Sequence, residues 1–448
     1  MDIFNINELK DLIGKLAPKD THEHPIVKDI VNPGDIVITK GGSIGFVGYV
    51  TKKAYASRDL MFINSSQLEE RERVFLYLYL STDFSFKQLI RSSSQCAQPH
   101  LTITLVKNFD IFLPNESLKN NCLLLYQEYS DKQVKSKRLY SEAEDILLSE
   151  LGLKDWQPNN APVNIKQLKE SFLTSGRLDA EYYQPKYDEI ENVIRNYKNG
   201  TEIVGDLFTQ NTEICDFKEE AYNYIEIGDI NISDGTANYN LISKEELPDN
   251  AKRVLHKNDI LISKVRPYRG AVSIIDFDDE KLIGSGAFTV LQENSTYKRE
   301  VLQILLRTQI YKDWLLKWNV GSSYPVIKDE DILRLPIPLI PQNIQIEIAE
   351  YVQKSISLRN EAKQLLENAK LQVEDAIFTL EKEVDETKAE KEKLMRQIMM
   401  TADAMMTVTG KLYENVMVEI DGRKIVSTPS TSVTVKKIDN RIGIFKNN

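Results

Sequence analysis

Two stretches of this chain concentrate positive charge. Between Arg253 and Gly270 stand Arg253, Lys257, Lys264, Arg266 and Arg269 against a single acid, Asp259. Between Lys298 and Lys317 stand five basic residues against Glu300 and Asp313. Lysine and arginine on loops can meet phosphates, and arginine can also pair with both acceptors of a guanine edge. The whole chain carries a net charge of −10, so any nucleic-acid surface must be local rather than global. The competing reading of each cluster is a solvated basic face.

Catalytic chemistry finds little footing. No Gly-rich phosphate loop, NPPY-type tetrapeptide or HExxH segment occurs. Pro248-Asp249 followed by Asp279-Glu280-Lys281 spells a PD-(D/E)xK nuclease pattern, a cheap match in a chain with 67 acidic residues. His22 and His24 would share a strand face, but with His100 and His256 they make no ligand set. Cys96, Cys122 and Cys215 are odd in number and lack CxxC spacing, which fits small buried hydrophobes in a reducing cytoplasm. No catalytic residue, metal or cofactor is therefore expected. The longest apolar run, Val74 to Leu80, is too short to cross a membrane, and no basic-then-apolar signal pattern opens the chain. A cytoplasmic protein with no membrane partner is expected.

The elements that carry the basic loops occur twice. Residues 34–50 read GDIVITKGGSIGFVGYV and residues 258–275 read NDILISKVRPYRGAVSII. Each is a turn with Asp, an alternating strand ending in Ser/Thr-Lys, a loop, then Gly and a second strand. Residues 98–114 (QPHLTITLVKNFDIFLP) match 322–338 (SSYPVIKDEDILRLPIP) at the same offset, with 101–113 strand-like. A repeat of this size means two copies of one unit.

Helical stretches complete the plan. Residues 1–20 read as a short amphipathic helix, 69–91 as a helix rich in Leu and Tyr, and 180–197 as a helix interrupted by Pro185. Over 117–151, Cys122, Tyr126, Tyr129, Gln133, Ser136, Tyr140, Ala143 and Leu147 alternate three and four apart. After Gln342, Val352, Arg359, Leu366, Val373 and Leu380 fall seven apart, interleaved with Ser355, Ala362, Ala369 and Ala376. Small residues opposite larger ones let two helices approach closely, and 342–380 would span roughly 58 Å. Residues 381–400 continue the helix, and 412–446 switch to strands with Asp421-Gly422 as a hairpin turn.

In this order the segments resemble the specificity (S) subunit of type I restriction–modification enzymes. The resemblance rests on Lys257-Asn258-Asp259-Ile260-Leu261-Ile262-Ser263-Lys264 with Arg266 and Gly270, and on Leu335-Pro336-Ile337-Pro338-Leu339-Ile340-Pro341-Gln342 running into Ile346-Glu347-Ile348-Ala349. Tyr224-Ile225-Glu226-Ile227-Gly228-Asp229-Ile230 is similar to the family's opening of a recognition domain, and Arg177 to Tyr183 (RLDAEYY) to the start of its second half. It covers roughly residues 26–380.

The resemblance implies an α+β chain: two repeated mixed α/β target recognition domains joined by long coiled-coil helices; the small β-rich tail, with the extension from about residue 381, is not part of the family's pattern. The expected boundaries are 1–116 for a first domain shortened at its start, 117–152 for the first spacer helix and 153–201 for a linker and helix. The second domain is expected over 202–341, the second spacer helix over 342–410 and the tail over 411–448. Only 33 residues precede the first GDI, whereas about fifty (Glu202–Lys252) precede the second NDI. The implied function is non-catalytic reading of a split site in double-stranded DNA, with methyltransferase (M) and endonuclease (R) subunits docking on the helices 117–151 and 342–380. The implied DNA contacts are Lys40, Ser43, Lys264, Arg266, Tyr268, Arg269, Ser322, Ser323 and Tyr324. A coiled-coil scaffold that binds protein is the alternative from another class, and a PD-(D/E)xK-like nuclease a further one.

Overall fold

The computed structural model describes residues 30–446 except 42–43, 58, 93–100, 103–105, 107–108, 110, 113, 159–160, 162, 320–323, 410–415, 421–422, 428–432 and 439–440, with side chains described up to residue 379. The helix expected over 1–20, with His22, His24 and His100, lies outside them. The chain divides into two units, Met1–Val373 and Glu374–Asn448.

In the first copy, β1 (Ile30–Val31) pairs antiparallel with β4 (Ala54–Tyr55), and β2 (Ile36–Thr39) lies between β3 (Val47–Tyr49) and β5 (Leu60–Ile63). The buried run Ile36-Val37-Ile38 is what a central strand covered on both faces needs. The stretch expected as one helix over 69–91 is two, α1 (Glu70–Leu80) and α2 (Asp83–Ser92). Between them Ser81 Oγ donates to the Tyr77 carbonyl at 2.7 Å, while Thr82 Oγ1 donates to the Tyr79 carbonyl at 2.6 Å and accepts from Ser85 N–H. These hydroxyls satisfy the terminal groups of both helices and make the break.

The helix α3 (Glu116–Glu150) follows, capped by Asn115, whose side chain accepts from Leu118 N–H at 2.9 Å. Pro185 does not interrupt a helix. It starts α4 (Pro185–Arg195) at the first turn, where its missing N–H is no loss.

The second copy holds two four-stranded sheets. Strand β6 (Thr201–Ile203) leads to β7 (Phe208–Gln210), β8 (Ala221–Ile225), β9 (Asn240–Ser243), β10 (Ala251–Val254), β11 (Ile260–Ser263), β12 (Val272–Ile274), β13 (Leu282–Ser285) and β14 (Phe288–Glu293). One sheet has the order β12-β11-β14-β7, the other β10-β13-β8-β9 with β8 and β13 parallel. Then α5 (Arg299–Arg307) and α6 (Gln309–Leu315) meet at Thr308, which repeats the role of Thr82: its Oγ1 donates to the Leu305 carbonyl at 2.7 Å and accepts from Tyr311 N–H.

A short helix, α7 (Asp329–Leu333), precedes β15 (Pro336–Pro338), which pairs with β6. Two buried tyrosines hold this Pro-x-Pro strand: Tyr311 Oη donates to the Pro336 carbonyl at 2.9 Å and Tyr297 Oη to the Pro338 carbonyl at 3.1 Å. Burial pushes both phenols well above their ordinary pKa. The long helix α8 (Gln342–Thr409) follows.

The repeat extends to individual hydrogen bonds. Gly34 N–H reaches the Val50 carbonyl and Asn258 N–H the Ile275 carbonyl, both at 2.8 Å. Lys40 N–H bonds the Asp59 carbonyl as Lys264 N–H bonds that of Ala287. Downstream the correspondence is not at the same offset. Leu101 N–H to the Lys40 carbonyl matches Ile327 N–H to that of Lys264, Val106 to Thr102 matches Ile332 to Lys328, and Phe109 to Val106 matches Leu335 to Ile332. Leu101 therefore corresponds to Ile327, two positions beyond the sequence alignment. The described part of 101–113 carries this helical turn rather than the expected strand.

Helices α3 and α8 run antiparallel within the first unit. Asn121 Nδ2 donates to Gln372 Oε1, Lys132 Nζ lies 2.7 Å from Glu361 Oε2, and Ser136 Oγ lies 2.9 Å from Ser355 Oγ. Each serine hydroxyl also lies 2.9 Å from the other's carbonyl, a closeness that only small seam residues permit. Cys122, Tyr126, Ser136, Tyr140, Ala143 and Leu147 are buried on α3, and Val352, Ser355, Arg359, Ala362, Leu366, Ala369 and Val373 on α8, as the heptads predict. One core joins Leu147, Ile190, Ile260, Leu305, Trp314, Ile337 and Val352, and so welds helix pair, α4 and second copy together.

In the second unit, α8 continues to Thr409. Antiparallel hairpins follow, β16 (Val416–Ile420) with β17 (Arg423–Ser427), and β18 (Val433–Ile438) with β19 (Arg441–Lys446). Among the described residues no helix is long and apolar enough to cross a membrane.

Candidate nucleic-acid interface

The β11–β12 loop is a built turn. Its register is set at Asp259, where the preceding Asn258 takes φ +76. The buried Asp259 carboxylate accepts from His256 N–H at 3.0 Å, Asn211 Nδ2 at 3.1 Å and Gln292 Nε2 at 2.9 Å. The first copy does the same with Gly34 at φ +93 and buried Asp35, which accepts from Asn32 N–H at 2.8 Å and Ser65 N–H at 3.2 Å. The Gly/Asn-Asp pair of the motif is thus a left-handed position followed by a capping carboxylate.

Beyond β11, Arg266 adopts φ +51, rare for a residue with a Cβ, and a 3₁₀ turn over Pro267–Arg269 closes on Gly270 at φ +68. The closing segment lies along this loop. Arg266 N–H donates to the Pro325 carbonyl at 2.7 Å, Val265 bridges Val326, and Ile327 N–H donates to the Lys264 carbonyl at 3.0 Å. As a result the Arg266 guanidinium lies 4.3 Å from the Tyr324 ring centroid, with Tyr324 62% exposed. A half-buried arginine over an exposed aromatic ring presents positive charge together with a flat apolar face.

The other expected contacts divide. Arg269 is exposed beside this pair and Tyr268 is half-buried. Lys264 turns inward: its Nζ lies 3.2 Å from Asp329 Oδ2, and Thr289 Oγ1 donates to Asp329 Oδ1 at 2.6 Å. Lys40 is half-buried at the matching position. Ser43, Ser322 and Ser323 lie outside the described residues. The sequence reading did not single out Pro325, whose carbonyl aligns the two segments. Its signal was a proline present in both copies, Pro99 and Pro325, once the two-residue drift is allowed.

The acidic letters resembling a nuclease are engaged in a turn. Asp279 accepts from Asn223 Nδ2 at 2.6 Å and Lys281 N–H at 2.8 Å, and Lys281 Nζ pairs with Glu219 at 2.8 Å. Among the described residues no group of His, Cys, Asp and Glu could hold a metal ion.

Comparison with known proteins places this architecture. Residues 25–121 and 199–371 match the family model described as the type I restriction modification DNA specificity domain. The type I restriction enzyme MjaVIII specificity subunit of Methanocaldococcus jannaschii is 20% identical over 78% of this chain and 79% of its own. The EcoDI specificity subunit of Escherichia coli is 21% identical over 48% of this chain and 45% of its own. A type I restriction–modification S subunit crystal structure from M. genitalium covers 79% of this chain and 84% of its own, at 14% identity and a TM-score of 0.33. The matched segments fall on the two repeated copies and make up more than half of the chain, which therefore belongs to the type I restriction–modification DNA specificity family, whose members direct the complex to its DNA targets.

Proposed function

We propose that this chain is the non-catalytic subunit that reads a bipartite site in double-stranded DNA, each copy addressing one half and the α3/α8 pair setting the gap. In the second copy the reading surface is Arg266, Tyr268, Arg269 and Tyr324 with Ser322 and Ser323; in the first it is the loop of Lys40 and Ser43. Lys264 supports the loop from within through Asp329. The observation that carries the reading is the joining of the Arg266 turn to the Tyr324 segment by backbone hydrogen bonds, because it gathers residues nearly sixty positions apart onto one edge, with Arg269 and Tyr324 exposed. Methyltransferase and endonuclease subunits dock on the helix pair, where Leu124 and Val134 of α3 and Leu371 of α8 stay exposed. Such a subunit works in the cytoplasm, beside the chromosome.

The test is to co-express the chain with the methyltransferase and endonuclease subunits in a host lacking its own system and to map methylated adenines across the genome. A split motif with a fixed gap is expected. In binding assays Arg266→Ala with Arg269→Ala should lower affinity about ten- to hundredfold, as lost base contacts do, and reduce the salt slope, with thermal stability unchanged. Unchanged binding would remove this loop from the interface. A salt-dependent DNA shift would count against the protein-scaffold reading, since phosphate contacts release counterions.

A further inference from the structure

The reading loop is gripped from behind by a half-buried arginine. Arg307, the last residue of α5, donates from Nη1 to the Gly270 carbonyl at 3.1 Å and from Nη2 to the Ile232 carbonyl at 3.0 Å. Its guanidinium also lies 5.5 Å from the ring centroid of buried Tyr140, on the spacer helix α3. Gly270 is the left-handed residue that closes the Arg266–Arg269 turn, and it is crowded: a Cβ there would come within 2.9 Å of Lys312. Ile232 begins a second loop that the spacer holds independently. Buried Arg359 of α8 donates from Nη1 to the Asp234 carbonyl at 2.8 Å, with the Asp234 carboxylate at 3.3 Å, and Gln303 Nε2 donates to the Gly235 carbonyl at 3.2 Å. One planar fork thus ties the reading turn, the 232–235 loop and the spacer helix together. Arginine suits this place because its donors reach two carbonyls while its face stacks on an aromatic ring, which lysine cannot do at once.

The first copy lacks the grip. At the position matching Arg307 stands Ser81, whose hydroxyl turns back to the Tyr77 carbonyl, and Phe86 lies beneath Gly45 where Lys312 lies beneath Gly270. The repeated backbone therefore does not require the arginine.

We infer that Arg307 is a positioning residue: it fixes the second reading loop relative to the spacer helices, so that the second half-site is read in a set orientation. This rests on the assignment of the Arg266 loop to DNA. The test uses the complex assembled with methyltransferase subunits and duplexes carrying the mapped motif, or that motif with either half scrambled. Arg307→Lys and Arg307→Met should each lower discrimination at the second half-site about tenfold or more, the scale of losing hydrogen bonds to a charged group, with discrimination at the first half-site unchanged. Undiminished discrimination would overturn the inference, and so would a parallel loss at both half-sites accompanied by a lower Tm, the mark of a merely structural arginine. Arg266→Ala is the control. If it also leaves the second half-site intact, the loop assignment has failed; if it abolishes reading while Arg307→Lys does not, only the positioning role has failed.

Discussion

The two copies share a backbone and differ in what fills it. Both set a left-handed residue before a buried aspartate, both run a central strand between two antiparallel neighbours, and both break a helix pair at a threonine. Around that frame the second copy adds the β10-β13-β8-β9 sheet, where the described first copy has only the β1–β4 ladder. Its helices enclose Trp314, with Tyr311 at 5.6 Å and Trp318 at 6.0 Å, whereas the first copy clusters Tyr49, Tyr77 and Tyr126 against α3. Ladder and turn bonds are dictated by chain geometry and tolerate sequence change. Side chains beneath a loop are free to diverge, and there the copies can acquire separate readings.

The sharpest way to break this comparison is to empty the second core. Trp314 is fully buried, and Trp314→Ala should destabilise the chain by about 3–5 kcal/mol through lost burial and the cavity left behind. The matching residue of the first copy is half-buried Gln88, whose truncation should cost about 1 kcal/mol or less. Urea unfolding of both variants checks the difference, and equal losses would show that the two cores carry similar weight.

A smaller effect tests the shared turn. Removing the carboxylate from Asp259 strands donors from His256, Asn211 and Gln292, whereas Asp35→Ala strands those of Asn32 and Ser65. A buried donor left unpaired costs about 1–3 kcal/mol, so Asp259→Ala belongs at the upper end of that range and Asp35→Ala nearer the lower. Reversed magnitudes would mean that the extra donors of the second copy find water in the variant.

How far these features could be read from the sequence follows from their range. The repeat was legible because it lies in short motifs: Gly34-Asp35 and Asn258-Asp259 announce a turn, and the heptads of α3 and α8 announce a seam that Ser136 and Ser355 then occupy. The pairing of β16 with β17 was legible for the same reason, from Asp421-Gly422 in the sequence. What escaped depends on distant partners. Lys264 looked like a free cation because Asp329 lies 65 residues away, and Arg307 was one of five basics because nothing local says that it reaches Gly270 and Ile232. The two-residue drift of the second match was hidden because both alignments place apolar residues opposite one another.

The helix pair that both copies share offers the gentlest probe. Cys122 lies fully buried in the α3 seam, and burial raises its thiol from an ordinary value near 9 to about 11. At pH 8 this leaves on the order of a hundredfold less thiolate than an exposed cysteine would have, and the reagent must also wait for the helices to part. Site-resolved mass spectrometry after iodoacetamide treatment should find Cys122 unmodified long after half-buried Cys215 has reacted. Linkage adds a direction: the unfolded thiol ionises first, so the folded chain binds more protons than the unfolded one between pH 9 and 11, and this group's contribution to stability falls as pH rises through that window. A Cys122→Ala variant should lose that part of the alkaline decline. Rapid labelling of Cys122 at neutral pH would mean that the seam opens readily, and the spacing between the two copies would then be set elsewhere than by a rigid helix pair.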